Sequence, residues 1–319
     1  MAVPGEVSKL RKTAGPATRA PSEKGDGKAA ALFLMPWFVG LVLIVVGPLL
    51  ASLYLSFTNY NLLQDPELVG VENYRQLFQD PRLLQSLQVT FTYVFVSVPL
   101  QLAAALGLAL VLDKGVRGLP FYRSVFYLPS LLGSSVAIAI LWRQLFGTQG
   151  LLNQVIDWFN GIQPLVHIGT QGWVSDPAYA LGTLITLNVW TFGSPMVIFL
   201  AGLRQIPQMY YEAASLDGAS KLRQFISVTF PMLTPVVFFN LVLQIINAFQ
   251  TFTQAFIVSG GTGGPVDSTL FYTLYLYLQG FGNFNMGYAS AMAWLLLVIV
   301  GAMTALNFYA SKYWVFYDD

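Results

Sequence analysis

Cysteine is absent from the 319-residue sequence, and histidine occurs once, at His167. Without cysteine the chain cannot form a disulfide, a thiolate metal site or a cysteine nucleophile. A single histidine cannot supply a histidine-rich metal centre or a histidine-based catalytic triad. Charged residues are also scarce, at 10% of the chain, whereas soluble domains carry about 25%. These shortages exclude a large water-facing surface and argue against an enzyme.

Hydrophobic residues, in contrast, make up 55% of the chain and are concentrated in six apolar runs. A helix needs about 20 apolar residues to cross the hydrocarbon core of a bilayer. The sequence therefore predicts an all-α integral membrane protein with six transmembrane helices. The predicted spans are Ala31–Ser56, Ser86–Leu112, Ser124–Trp142, Ala178–Leu203, Leu233–Ile257 and Gly287–Tyr309.

Lys and Arg residues are distributed unevenly about these spans. Residues 1–30 contain six of them and no apolar run, so we predict a disordered basic tail ahead of a membrane domain at 31–319. Six spans place both ends of the chain on one side, which then carries 13 of the 16 Lys and Arg residues. Because loops rich in these residues stay in the cytoplasm, both termini are predicted to be cytoplasmic.

Two further absences bear on the source of energy. No Asp, Glu, Lys, Arg or His lies in the middle of a predicted span, although proton-coupled carriers need such groups. The chain also has no GxxxxGK[ST] nucleotide loop, since Lys28 is followed by Ala29. We therefore expect this chain to bind no cofactor, and a pump built from it would use ATP hydrolysed by another chain.

The loop between the fourth and fifth predicted spans has a helix–glycine–helix pattern. Pro207 is placed to begin a short helix and Gly218 to end it in the left-handed conformation. A second helical stretch is predicted from Lys221 to Phe230, and it should stop at Pro231. Because such short helices are marginal alone, we expect the loop to dock on a partner protein.

This loop resembles the EAA motif of binding-protein-dependent ABC importer permeases. Glu212 begins the Glu-Ala-Ala triplet, Gly218 follows six residues later, and Pro231 ends the motif. The family usually ends on Ile-x-Leu-Pro, whereas this chain has Val-Thr-Phe-Pro. The resemblance implies the ABC importer permease fold and a loop at 204–231 that couples the permease to an ATPase. The residues it assigns to coupling are Glu212, Ala213, Ala214, Asp217, Gly218 and Pro231.

Shorter matches narrow the resemblance to the sugar-importer branch, which includes maltose and glycerol-3-phosphate permeases. In chain order they are Pro48, Asn73-Tyr74, Asp80-Pro81, Trp142, Gly150-Leu151, Gly263-Gly264-Pro265 and Gly287-Tyr288-Ala289. The branch implies a multi-pass subunit of the bacterial cytoplasmic (inner) membrane with its permease core at 86–311. The implied partners are the lipid bilayer, two ATP-binding subunits that hold ATP and magnesium, a second homologous permease subunit and an extracytoplasmic solute-binding protein, with no nucleic acid.

Polar side chains in the fifth span indicate where a solute could pass. They recur at helical spacing from Asn240 to Gln254, which places them on one face of a helix. Such a face turns either to another helix, for interhelical hydrogen bonds, or to a water-filled path. In the fourth span, the sugar-branch resemblance assigns the Asn-x-Trp pair to a sugar path. The predicted path residues are Asn188, Trp190, Asn240, Gln244, Asn247 and Thr251.

The favoured function is the permease subunit of an ABC importer for a carbohydrate or related polyol. One alternative is a permease of the same type for a different solute class. Another is an ion-coupled carrier or passive channel that works without an ATPase. An intramembrane enzyme is a third, and it would need a mid-membrane nucleophile or metal site that the sequence does not offer.

Overall fold

A computed structural model describes residues 26–115, 118–162 and 168–316 of the chain. Within these ranges no strand occurs, and the extended pairing is limited to one isolated antiparallel bridge between Thr58 and Leu68. The chain divides into two units, residues 1–52 and residues 53–319. Residues 1–25 of the predicted basic tail lie outside the described ranges, and the first helix begins at Asp26.

Helices account for most of the described chain. In order they are α1 (Asp26–Gly40), α2 (Gly47–Leu55), α3 (Glu72–Leu77), α4 (Pro81–Asp113), α5 (Leu119–Leu132), α6 (Val136–Leu145), α7 (Leu151–Ile162), α8 (Pro177–Trp190), α9 (Gly193–Leu203), α10 (Gln208–Leu216), α11 (Lys221–Gln224), α12 (Phe230–Phe249), α13 (Thr253–Val258), α14 (Tyr272–Tyr277) and α15 (Met286–Trp314). Wider π-helical turns join some of them, at Leu41–Val46, Phe225–Thr229 and Leu278–Gly282.

The described helices provide up to six membrane spans. Four continuous helical stretches are long and apolar enough to cross a bilayer: Ala30–Leu55, Pro81–Asp113, Lys221–Phe249 and Met286–Trp314. Two bent pairs, α5 with α6 and α8 with α9, supply the other two if each pair counts as one span. The number and order of the spans agree with the sequence prediction.

The third predicted span is broken rather than continuous. Its halves, α5 and α6, meet at 95° across a break of a few residues. Ser135 begins a new helix there, because its hydroxyl accepts a hydrogen bond from the backbone amide of Ile138. The fourth span bends by 41° between Trp190 and Gly193. These two bends redirect the chain in the middle of the apolar runs.

The fifth span corrects the sequence prediction at both ends. Helical structure runs without interruption from Lys221 to Phe249, so the expected stop at Pro231 is wrong. Proline lacks an amide donor and crowds the carbonyl four residues before it, and the wider π turn at Phe225–Thr229 accommodates this. At the other end, α12 ends at Phe249 instead of Ile257, and residues 250–252 separate it from α13.

Helix α4 is at the centre of the larger unit. It packs against α8, α9, α12 and α14, and small residues such as Ser97, Ala105 and Ala109 are fully buried on it. Small side chains let membrane helices approach closely. Helices α5 and α15 pack in turn against α9 and α12. This arrangement brings the bends of the third, fourth and fifth spans towards the same region.

A cluster centred on Asp80 ties α4, α14 and α15 together. Asp80 caps α4, and its carboxylate also accepts hydrogen bonds from the hydroxyls of Tyr275, at 2.6 Å, and Tyr288, at 2.7 Å. Burial opposes ionisation of Asp80, but these bonds and two from backbone amides outweigh it and lower its pKa. Nearby, Arg82 donates two hydrogen bonds to the carboxylate of Asp267.

Candidate functional site

A polar cavity of about 500 Å³ lies where three helix breaks meet. The breaks are residues 133–135 between α5 and α6, residues 191–192 between α8 and α9, and residues 250–252 between α12 and α13. Each contributes to the cavity wall, and α4 contributes Tyr93 and Gln101. Serine, threonine, asparagine and glutamine dominate the lining, and none of the described lining residues is charged.

Two glycines allow the first two breaks to touch. A Cβ atom on Gly133 would collide with the Thr191 side chain, and one on Gly193 would collide with the Phe126 carbonyl oxygen and lie 2.7 Å from Tyr127 Cα. Glycine is therefore required at both positions for this approach. The close contact holds α5 against α9 at the edge of the cavity.

Side chains satisfy the backbone groups that the breaks leave without helical partners. The Ser130 hydroxyl donates to the Thr191 carbonyl oxygen at 2.8 Å and accepts from the Ser194 amide at 2.8 Å. The Gln254 amide nitrogen donates to the Gly133 carbonyl oxygen at 3.1 Å. Irregular backbone is tolerated at membrane depth only where it is satisfied by protein or faces water. These bonds make the breaks stable features of the fold.

The α4 and α8 side of the cavity contains two amides whose nitrogen atoms are engaged. Gln101 Nε2 donates to the carbonyl oxygen of Thr191 at 3.2 Å and to its hydroxyl at 3.0 Å. Asn188 Nδ2 donates to the Ser97 hydroxyl at 3.0 Å. On the opposite side, Gln244 is half-buried and Asn247 is exposed to the cavity. The walls therefore offer amide groups to any molecule between them.

The structure brings four of the six predicted path residues to this cavity, namely Asn188, Gln244, Asn247 and Thr251. Thr251 reaches it from the break after α12, and not from the helix face that the sequence predicted. Trp190 is not among the lining residues and packs on Trp142, with ring centroids 5.6 Å apart. Asn240 is fully buried and donates to the Val236 carbonyl oxygen of its own helix. It therefore lies outside the cavity.

The lining also includes polar residues that were not among the predicted path residues, such as Gln101, Ser130, Thr191 and Ser194. The serine- and glycine-rich interruption around Ser130 was visible as a signal for a break, but not as part of a site. Gln101 was visible as an isolated amide in an apolar run, where a polar side chain needs a partner. The spacing of polar residues along one helix could not connect these positions.

The loop at 204–231 contains the predicted short helix followed by a turn at Gly218 and a second helical stretch, and we call this helix–glycine–helix bend the elbow. Pro207 is the N-cap residue of α10 and has an extended backbone conformation. Gly218 follows the helix with φ +74°. Gln224 fixes the turn, since its amide nitrogen donates to the Ser215 hydroxyl at 2.9 Å and to the Ala219 carbonyl oxygen at 3.3 Å. The loop is therefore a shaped element with its own hydrogen bonds.

The side chains on the surface of α10 are exposed in this elbow. Glu212 is exposed, and no salt bridge to it occurs within the described ranges. Large apolar side chains are exposed beside it, with Leu216 90% and Met209 67% accessible. Exposed apolar surface of this kind is typical of interaction sites.

Residues 78–312 match the family described as the binding-protein-dependent transport system inner membrane component. The match covers well over half of the 319 residues. The chain belongs to this family. It is therefore a multi-pass permease component of the bacterial inner membrane, and not an enzyme, as the sequence predicted.

Several relatives are permeases of the same type. The permease is 49% identical over 299 residues to the probable ABC transporter permease protein YesP of Bacillus subtilis, covering 93% of this chain and 95% of that protein. It is 32% identical to the lactose transport system permease protein LacF of Rhizobium radiobacter, covering 88% and 93%. It is 33% identical to the sn-glycerol-3-phosphate transport system permease protein UgpA of Agrobacterium fabrum, covering 87% and 92%.

The fold also matches solved structures. A chain of a bacterial alginate ABC transporter, in complex with an alginate pentasaccharide-bound periplasmic protein, superposes with a TM-score of 0.76 at 18% identity. The match covers 91% of the permease and 96% of that chain. This likeness confirms the predicted all-α permease fold.

Proposed function

We propose that the permease moves a neutral carbohydrate or related polyol across the cytoplasmic membrane, as the membrane subunit of an ABC importer. The main support for this proposal is that three helix breaks converge on an uncharged polar cavity. Discontinuous helices that expose backbone and side-chain polar groups near the middle of the membrane are typical of substrate sites in transporters. Relatives named for lactose and starch degradation products support the solute class.

The chemistry of the cavity fits a hydroxyl-rich solute. Amide and hydroxyl side chains offer donors and acceptors without a charge, and the cavity holds both kinds. Its volume of about 500 Å³ lies within the range of roughly 300–1,000 Å³ that ligand pockets have. Phe252 and Tyr93 add aromatic surface against which an apolar sugar face could lie.

An anionic solute is the second candidate, since relatives are named for sn-glycerol-3-phosphate and sulfoquinovosyl glycerol. A site for such a solute would ordinarily offer Lys or Arg. None of the described residues that line the cavity is a lysine or an arginine. The neutral solute is therefore favoured, and the anionic solute becomes an outcome of the test.

The proposed energy source is ATP, bound with magnesium by two ATP-binding subunits. The loop at 204–231 would contact one of these subunits. Helix α10 would lie in a cleft of one of these subunits, with Glu212 providing the charge and Ala213 and Ala214 the close approach. Gly218, whose φ of +74° suits glycine, and the adjacent Asp217 would hold the bend. Pro231, in the first turn of α12, would end the coupling loop.

Two other proteins complete the proposed importer. A six-span permease of this kind forms half of a pore, so we propose a second homologous permease subunit as the other half. We also propose an extracytoplasmic solute-binding protein that delivers solute to the outer loops. The family description supports this last partner, because it names a binding-protein-dependent system.

The solute class can be tested by uptake into right-side-out vesicles that contain the intact complex. The vesicles are supplied with an equimolar mixture of glucose, galactose, maltose, lactose, glycerol and sn-glycerol-3-phosphate, and the contents are measured by mass spectrometry. We expect accumulation of at least one neutral member that depends on ATP. Accumulation of sn-glycerol-3-phosphate alone would favour the anionic solute instead.

The coupling role can be tested with Glu212→Lys in the same vesicles. We expect the complex to assemble in the membrane while ATP-driven uptake is lost, because the reversed charge faces the ATP-binding subunit. Lys114→Glu is the matched control, since it reverses another exposed charge on the side predicted to be cytoplasmic, outside the coupling loop. Normal uptake by Glu212→Lys would refute the coupling role.

A further inference from the structure

The carbonyl oxygen of Gln101 is a buried acceptor without a hydrogen-bond partner among the described residues. Gln101 lies on α4, is 2% exposed and lines the polar cavity. Buried polar atoms are nearly always hydrogen-bonded, so each exception calls for an explanation. We propose that Gln101 is a ligand-recognition residue whose Oε1 accepts a hydrogen bond from a hydroxyl group of the transported molecule. This inference rests on the proposed function of the cavity.

The orientation of the Gln101 amide is determined by its neighbour. The Thr191 carbonyl oxygen can only accept a hydrogen bond, so the group that faces it must be the amide nitrogen of Gln101. The Thr191 hydroxyl donates to the Asn188 carbonyl oxygen at 2.7 Å, which leaves it free to accept from the same nitrogen. A flipped amide would set two acceptors against each other. Oε1 is therefore the amide atom of Gln101 that has no hydrogen-bond partner among the described residues.

The surrounding protein offers this oxygen no donor. Ser130, the other side chain that contacts the Thr191 carbonyl, already donates its hydroxyl proton there. The Asn188 amide nitrogen is engaged by Ser97. The hydrogen bonds around the fourth-span bend thus leave the Gln101 carbonyl oxygen without a donor among the described residues. A ligand that contributes a hydroxyl proton at this wall would complete the network, whereas a methyl ether could not.

The bond through Nε2 has a structural role, because it links α4 to the bend between α8 and α9. The two roles make different predictions. A purely structural glutamine affects every transported molecule equally when it is replaced. When a glutamine that also accepts a ligand hydroxyl is replaced, the molecule that lacks that hydroxyl is affected less than all the others, because it loses only the structural contribution.

The test uses Gln101→Met in the intact complex, since methionine has a similar length and provides neither amide atom. ATP-driven uptake is measured in right-side-out vesicles for glucose, galactose, maltose and lactose, and then for each monodeoxy derivative of whichever sugar accumulates. Gln88→Leu is the control, because Gln88 is an exposed amide on the same helix and does not line the cavity. It should behave as the unmodified protein.

We expect Gln101→Met to weaken apparent affinity for the parent sugar by roughly ten- to a hundredfold. The loss should be clearly smaller for one monodeoxy derivative than for the parent sugar and the other derivatives, because only the structural contribution of the Nε2 bonds remains for it. A uniform loss across the series would leave Gln101 with a structural role alone and overturn the inference, as would no loss at all. If the unmodified complex accumulates neither these sugars nor the glycerol of the uptake mixture, the proposed function fails and the inference with it.

Discussion

Replacement of Gly193 by alanine tests whether the contact between α5 and α9 shapes the cavity. The new Cβ would lie 2.7 Å from Tyr127 Cα and would also meet the Phe126 carbonyl oxygen. Carbon atoms attract each other best at about 3.5–4.0 Å, so the two helices must separate by about 1 Å. These two obstacles are backbone atoms, which cannot rotate out of the way, and the Ser130 hydroxyl oxygen lies 2.9 Å away as a third.

The size of the effect follows from two opposing terms. Overpacking of this kind costs about 1–3 kcal/mol, and the backbone obstacles place this site at the upper end. Alanine recovers about 1 kcal/mol through its greater helix propensity. We therefore expect a net loss of about 2 kcal/mol and a fall of roughly 5 °C in the melting temperature. Uptake should fall as well, because the Ser130 and Ser194 bonds at the cavity edge would be stretched.

The matched control is Gly182→Ala, in α8 of the same span, where a Cβ would meet nothing within 4 Å. The melting temperature of each variant is measured on the purified complex, and uptake is measured in vesicles. Gly182→Ala should be as stable as the unmodified protein or slightly more stable. If Gly193→Ala melts at the same temperature as the control and transports normally, the close approach of the two breaks is wrong.

Three further predictions concern the cluster around Asp80. Asp80→Asn should cost about 1–3 kcal/mol in thermal unfolding, because the hydrogen bonds from two tyrosines lose their charged acceptor. The lowered pKa of Asp80 also means that its stabilisation is fully present above the unfolded pKa, near 4, and is lost as pH falls through the lower folded value. Melting temperatures between pH 3 and 6 should therefore depend less on pH in Asp80→Asn. Arg82→Ala should change stability by less than about 1 kcal/mol, because its ion pair with Asp267 is partly exposed, and a larger loss in the same melting assay would contradict this assignment.

Features that depend on local sequence could be predicted. Apolar runs gave the number and order of the spans, since the length of a crossing helix is set by the bilayer. Pro207 and Gly218 gave the short helix of the elbow, because each restricts the backbone in its own way. The turn after α10 was correctly expected at Gly218.

Features that depend on contacts between distant residues could not be predicted. Hydrogen bonds from Gln254 to the Gly133 carbonyl oxygen and from Ser130 to the Thr191 carbonyl oxygen hold the walls of the cavity together. These partners are far apart in the sequence, so helical periodicity does not reveal them. The continuous helix through Pro231 was missed for another reason. A π turn adds a residue to a helix without changing its apolar composition, so the sequence pattern does not reveal it.

In the proposed importer, an ATP-binding subunit holds the elbow at 204–231 on the cytoplasmic side. The natural chain has no cysteine, so Leu216→Cys places a single thiol at the most exposed part of α10. We predict that a membrane-impermeant maleimide labels this thiol only from the cytoplasmic side, and that a short bifunctional reagent cross-links it to an ATP-binding subunit. Labelling from the outer side of intact cells would contradict the coupling role of the elbow.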